Sequence, residues 1–286
     1  MSSKNRLSKI GKEYDSSEFT RGLVNYWTFD ESLNDVVNGQ NMTINLNGAF
    51  TSDRFKNKNS ALTFYKGHGN FPSGYYLNKE FTLMFWIKTL SYNQYQAIVE
   101  FGNDLETDIV FIGFENVSGQ VRIIFIKKGD KRALGKSGPS DTLPIGKWVH
   151  VAVNYKNEQV LGYIDGVLKI EFKTADFISK IRSFNFIGKS HWPDENLHAD
   201  LDDLKIFDRV LSKQEIKTEK EKTTMNSFGQ LLHISHQLKS YSRGLIHYWL
   251  MAGSTRDIIG GKDLQIISQC ELTKDRFQNK NSGKLL

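Results

Sequence analysis

Residues 148–172 read WVHVAVNYKNEQVLGYIDGVLKIEF. Side chains alternate sides along an extended chain, so Val149, Val151 and Val153 share one face. The runs QVLGYI and VLKIEF then flank Asp165-Gly166. That dipeptide suits a two-residue hairpin turn, in which both central residues take positive φ. The stretch therefore predicts three successive strands.

The same pattern extends outward in both directions. FTLMFWIK (81–88) is apolar on both faces, as a strand at the centre of a sheet would be. DIVFIGF (108–114) and VRIIFIKK (121–128) flank a turn at ENVSGQ, and LDDLKIF (201–207) reads as a last strand. Short strands at this spacing, with almost no helical period from Gly22 to Phe207, predict an all-β sandwich. A helix signal appears only afterwards. Ser212 and Glu215 form a capping box, charged residues follow to Lys222, and Met225, Phe228, Leu231, Leu232 and Leu238 make a weak apolar stripe.

The chain also repeats itself. DRFKNKNS (53–60) returns as DRFQNKNS (275–282), and RGLVNYW (21–27) returns as RGLIHYW (243–249). The shift is 222 residues throughout, and it also aligns Asp35 with Asp257, Gly39 with Gly261, Ile44 with Ile266 and Thr51 with Thr273. Solenoid repeats have periods of roughly 20–50 residues, so this period is a whole domain plus a linker. The expected organisation is a polar tail (1–20), a complete β domain (21–212), a helical linker (213–242) and a truncated second copy (243–286). The second copy holds candidate strands but no closed core.

Bulk composition narrows the function classes. Hydrophobic content of 39% supports a packed core, and charged content of 24% is ordinary. A net charge of +6 is too modest for a nucleic-acid binder. The single cysteine, Cys270, excludes an intrachain disulfide. No run of 18 apolar residues occurs, so no membrane insertion is expected. The stretch MSSKNRLSKIGKEYDSSEF lacks the apolar segment of a signal peptide.

Six segments together carry a family pattern: RGLVNYWTFDES (21–32), NSALTFYKG (59–67), FTLMFWIK, KWVHVAVNY, YIDGVL and NFIGKSHWPDENLHADLDDLKIFDRVLSKQEI (185–216). In this order they resemble the laminin-G-like domains of the concanavalin A-like lectin/glucanase fold. The resemblance spans residues 21–216, and part of it returns at 243–286. It implies a jelly-roll sandwich of two antiparallel sheets with its termini close together. It also implies a non-catalytic extracellular module for glycan or protein ligands, often within a tandem-repeat adhesion or recognition protein. Many members hold calcium at the rim. The fold also hosts glycosidases, so function must be argued from the site.

A retaining glycosidase needs two carboxyls roughly 5–5.5 Å apart. The nearest counterpart of the glucanase pattern Glu-x-Asp with a further Glu is Glu106-Thr107-Asp108. Val110 and Phe111 stand where the further carboxylate would be, so no catalysis is expected. His150 lies opposite the valine face and reads as a packed imidazole. His191 and His198, seven apart, do not make a zinc signature.

The resemblance pairs the first and last strands, which would bring Asp30 toward Asp202 and Asp203. Calcium takes 6–8 oxygens, and these three carboxylates are its expected ligands. The alternative is that Asp203 caps backbone amides and the others are solvated. The second copy has Ala252 and Gly253 in place of Asp30 and Glu31. In the segment 190–201, Trp192, Asp194 and Asn196 are candidate ligand contacts; Trp192 either stacks on a sugar or plugs the sandwich edge. Lys127, Lys128, Lys131, Arg132 and Lys136 form a basic patch, either a dock for sulfated or acidic partners or a solvated hairpin tip.

Overall fold

The computed structural model describes residues 21–103, 108–127, 134–175 and 180–222. The chain divides into two compact units, residues 1–224 and 225–286, and all described residues lie in the first. The N-terminal tail, the linker beyond Lys222 and the second copy fall outside the described residues.

Among the described residues, thirteen strands and one helix follow in order. The strands are β1 (Leu23–Trp27), β2 (Thr43–Thr51), β3 (Ala61–Phe71), β4 (Glu80–Thr89), β5 (Ala97–Gly102), β6 (Ile109–Phe114) and β7 (Val121–Ile126). Then come β8 (Leu134–Ser137), β9 (Trp148–Lys156), β10 (Gln159–Ile164), β11 (Val167–Lys173), β12 (Phe184–Ile187) and β13 (Leu197–Phe207). The helix α1 covers Lys213–Lys222.

The hairpin expected at Asp165-Gly166 joins β10 to β11, with φ of 52° and 77° at its two central residues. β4 lies between β9 and β13; Phe81, Leu83, Phe85 and Ile87 face the core, and Met84 on its other side packs in the cluster with Ile216 of α1. β13 begins at Leu197, earlier than the LDDLKIF pattern suggests, because His198 and Asp200 face outward in the ladder opposite Tyr65 and Thr63.

The ladder runs β11-β10-β9-β4-β13-β3-β12-β5-β6-β7-β8, with β1 added on β13 and β2 on β3. It is one continuous sheet folded over itself. The eleven-residue β13 explains the continuity: it pairs β4 along its length, β3 through its first half and β1 through its second. Strands that are not hydrogen-bonded neighbours face each other across the core. Phe125 of β7 stacks on Tyr155 of β9 at 5.4 Å, and Phe81 at the start of β4 stacks over Phe125 at 6.3 Å. The layers come close enough that a Cβ at Gly162 of β10 would lie 2.8 Å from Ile123 of β7.

Core side chains from both layers form one cluster, including Trp27, Phe64, Phe85, Phe101, Ile112 and Val151. Truncating a buried aromatic in such a cluster costs about 3–5 kcal/mol. A ten-residue polar helix is marginal alone. α1 holds its place through the Ser212–Glu215 capping box, with reciprocal bonds of 2.7 and 3.2 Å, and through Ile216, which is fully buried among Met84, Ala152, Tyr163, Phe207 and Leu211.

Candidate functional site: two outward faces of the folded sheet

The first face belongs to β3, β13, β4 and β9. Register alone builds it, because residues opposite one another in an antiparallel ladder project to the same side. One row runs Thr63–Asp200–Lys88–Trp148, with Tyr65–His198 beside it, and a second runs Asp202–Trp86–His150. Lys88 pairs with Asp200 at 2.5 Å, and its ammonium lies 5.4 Å from the Trp148 ring. Tyr65 is 65% exposed and meets the His198 ring edge-on at 4.7 Å. The Ser91 hydroxyl holds His198 through Nδ1 at 2.9 Å.

Deeper in this face the charges are buried. Asp202 and Asp203 are neighbours, so a regular strand would send one of them into the core. A β-bulge prevents this: three residue steps from Asp202 to Lys205 oppose two from Trp86 to Met84. Asp203 carries the extra residue's left-handed backbone, with φ of 50°. Aspartate tolerates that region better than most residues. Both carboxylates consequently reach one guanidinium. Arg54 donates through one amino group to Asp202 and through the other to Asp203, the latter at 2.6 Å. The Tyr26 hydroxyl donates to the second oxygen pole of Asp203. Arg54 is sandwiched 4.7 Å from the Trp86 ring and 4.8 Å from Phe55.

The loop that delivers Arg54 is the repeated DRFKNKNS. Asp53 organises it, accepting the N–H groups of Phe55 at 2.8 Å and Asn57 at 2.9 Å. Arg54 was absent from the sequence-derived site residues; the available signal was that the Asp-Arg-Phe triplet occurs twice. The second copy keeps Asp275, Arg276 and Tyr248, the counterparts of Asp53, Arg54 and Tyr26.

β1 does pair with β13, Tyr26 opposite Lys205, and this brings Asp30 within electrostatic reach of Asp202. Burial first, and then Asp203, push the Asp202 carboxyl well above its usual range; Arg54 pulls the other way. These residues do not fit a calcium ion. Asp202 and Asp203 are 2% exposed, and Arg54 holds the position between them that a cation would need. Among the described residues, no three His, Cys, Asp or Glu side chains are arranged to hold a metal. His150 is fully packed under Trp86, their rings 5.3 Å apart, and burial together with Lys205, Lys220 and Arg54 holds it down to about 3.

The second face belongs to β12, β5, β6 and β7. Ala97, Ile109, Phe111, Ile124 and Ile126 form an apolar patch there. Glu100 sits at its centre, opposite Phe186 on one side and Phe111 on the other, with no solvent exposure. Sequence reasoning missed both β5 and Glu100. The signal was a single carboxylate in the run AIVEFG. Residues 188–197 cross this face, and they carry the three expected ligand contacts. Trp192 is half-buried and packs edge-on against Phe111 at 6.1 Å. Asp194 lies 3.5 Å from the Ser190 hydroxyl, and burial raises its carboxyl. The Asn196 carbonyl accepts from Gln96 at 2.5 Å.

In the basic patch, Lys136 is exposed and donates to the Glu171 carbonyl at 3.2 Å, while Lys127 is half-buried. Lys128, Lys131, Arg132 and Glu106 lie outside the described residues.

A family model described as the concanavalin A-like lectin/glucanases superfamily matches residues 63–217. A comparison with curated proteins finds no match. Among solved structures, domain 4 of AbnA, a GH43 extracellular arabinanase from Geobacillus stearothermophilus in complex with arabinotriose, is similar at TM-score 0.56 and 18% identity, over 68% of this chain and 97% of that one. The receptor-binding domain of a botulinum neurotoxin C/D mosaic serotype is similar at TM-score 0.54 and 16% identity, over 90% of this chain and 58% of its own. A Trypanosoma rangeli sialidase in complex with 2,3-difluorosialic acid is similar at 0.53 and 17%, over 71% of this chain and 33% of its own. At these identities the likeness is one of fold.

Proposed function

The chain belongs to the concanavalin A-like lectin/glucanase superfamily, and from that premise we propose that residues 21–212 are a non-catalytic module that binds a glycan on the outward face of β3, β13, β4 and β9. One observation carries this reading: the open end of that face is a polar row between two aromatic rings. A sugar offers an apolar ring face and a rim of hydroxyls. Its binding surface needs an aromatic plate and a few fixed donors and acceptors. Tyr65 and Trp148 are the plates; Thr63, His198, Asp200 and Lys88 lie between them. Four strands span about 14 Å at the usual spacing, the length of a short oligosaccharide.

The Lys88–Asp200 pair is neutral as a unit, which favours an uncharged glycan over a sulfated one. The carboxylates of this face are committed to cations, which supports a binding role rather than acid–base chemistry. The arabinotriose complex of the arabinanase domain supports glycan as the ligand class. An extracellular setting, within a repeat protein for adhesion or recognition, goes with the same reading.

The test is calorimetric titration of the full chain with neutral oligosaccharides, arabinotriose first and then a glycan array. Trp148→Ala and Tyr65→Ala are each expected to weaken binding about tenfold, roughly 1.4 kcal/mol. Trp192→Ala is expected to leave affinity unchanged, since Trp192 lies on the other face. Absence of binding to every glycan would leave a ligand-free spacer, and release of cleaved product would overturn the non-catalytic reading.

A further inference from the structure

Residues 188–197 form a closed loop across the second face. Its ends are tied by the Leu197 N–H, which donates to the Gly188 carbonyl at 2.9 Å. Gly188 has φ of 81°, and a Cβ there would lie 2.5 Å from the Gly67 carbonyl, so this end tolerates only glycine. Gln96 holds the Asn196 carbonyl at 2.5 Å, Lys66 pairs with Glu195 at 2.5 Å near the surface, and the buried anchor of the middle is Glu100. Glu100 accepts the His191 backbone N–H at 2.9 Å, and the same oxygen meets the ring Nδ1. A Cβ at Gly102 would be 3.1 Å from the His191 ring, so the glycine makes room for it. Phe184 and Phe186 flank the ring at 5.8 and 5.1 Å.

This fastening is incomplete. Glu100 Oε2 and His191 Nε2 are both buried without a hydrogen-bond partner. An ionised carboxylate sealed in that state is costly, and a neutral one much less so. The ring and backbone N–H of His191 favour the ionised carboxylate, but burial outweighs them. The loop presents His191 and Asp194, and Asp194 disfavours a second negative charge. Lys189 places its ammonium 5.1 Å over the Phe186 ring instead. The strands beside Glu100 offer it Phe184 and Phe186 from β12, Phe111 from β6 and Ile124 from β7, none of them titratable.

We propose that residues 188–197 are a proton-coupled strap, which closes over the second face as Glu100 takes up a proton and loosens as Glu100 ionises, uncovering the apolar patch around Phe111. The sign follows from where the carboxyl prefers its proton. Burial raises the Glu100 carboxyl in the closed form. An open strap returns it to its ordinary range. Closing therefore takes up a proton, is favoured in acid, and is lost as pH rises through the raised value. The strap is independent of the glycan reading, because it lies on the opposite outward face.

Amide hydrogen exchange of peptides covering 188–197 tests this in the full chain, corrected for the intrinsic chemical rate. From about pH 5 to about pH 8.5, protection is expected to fall by up to about tenfold per pH unit once Glu100 ionises. Emission from an apolar dye should rise over the same range. Glu100→Gln should hold the acid level of protection at every pH. Asp194→Asn should move the midpoint to lower pH, and it decides the matter if the glutamine variant does not fold. A flat wild-type profile overturns the proposal, as does a Glu100→Gln profile that follows the wild type or an Asp194→Asn midpoint that stays put.

Discussion

The two outward faces of this sheet treat buried charge in opposite ways. On the β13–β4–β9 face every deep carboxylate has a cation fixed by the ladder or by a packed element: Asp200 has Lys88, Asp202 and Asp203 share Arg54, and Glu219 of α1 meets Lys205 at 3.0 Å. On the β5–β6 face the fully buried carboxylate of Glu100 has His191 as its ion-pair partner, carried by a loop. Charge matched within a rigid frame keeps its partners, even where burial raises a carboxyl as at Asp202. Charge matched by a loop depends on the loop's position and on protons. The difference separates a face built to hold its shape from one built to change.

The comparison breaks first at Arg54. Arg54→Ala leaves two adjacent buried carboxylates, with Asp30 and Asp53 also near Asp202. Stranding a buried charge costs about 3–5 kcal/mol. Chemical denaturation should show a loss of that size, the largest of any single change on either face. Arg54→Lys should recover only part of it, since a point charge cannot bridge two carboxylates as a planar fork does. Asp202→Asn should cost less than Asp203→Asn, because it removes surplus negative charge and leaves the Tyr26 contact intact. A loss under about 1 kcal/mol for Arg54→Ala would make the cluster an exposed-type pair and dissolve the contrast.

How much of this was legible in the sequence depends on distance along the chain. The β9–β10–β11 run announces itself through valine alternation and Asp165-Gly166, all within 25 residues. β4 is equally plain: Phe81, Leu83, Phe85 and Ile87 face the core, while Met84 lies under α1 and Trp86 under Arg54, so it reads as unbroken apolar sequence. The ionic cluster is different. Arg54 and Asp202 are 148 positions apart, and no local pattern links them. The acidic residues alone suggested a metal, and the guanidinium that pairs with two of them came from a motif whose only mark was repetition. β5 was hidden because Glu100 interrupts its apolar pattern, although that interruption is what makes the face responsive.

His150 sharpens the contrast through pH. Its imidazole is held down to about 3 in the folded chain, against about 6.5 when unfolded. Below about 6.5 the unfolded chain therefore binds the extra proton, and folding stability falls with pH at up to about 1.4 kcal/mol per unit until about 3. Asp202 and Glu100 act in the opposite sense, since both carboxyls are raised and their ionisation weakens the fold as pH increases. Wild-type stability should thus vary gently in mild acid. His150→Phe should remove the acid-labile part and leave stability that rises as pH falls. Urea denaturation from about pH 7 down to about pH 4 would show it. A variant that keeps the wild-type profile would place the acid sensitivity elsewhere.

The smallest effect expected is that of calcium. A ligand that binds only the folded chain raises stability by mass action, by about 2.7 kcal/mol at a hundredfold excess over its Kd. Asp202 and Asp203 would have to give up Arg54 to supply oxygens beside Asp30, and the exchange leaves a buried guanidinium without its carboxylates. The thermal midpoint of the wild type should therefore be the same with calcium and with chelator. Arg54→Ala removes the competitor and leaves the carboxylates facing one another, so any calcium-dependent rise should appear in that variant alone. A rise in the wild type would mean that the cation displaces the guanidinium, and the β13–β4–β9 face would then also be conditional, set by an ion as the other is set by a proton.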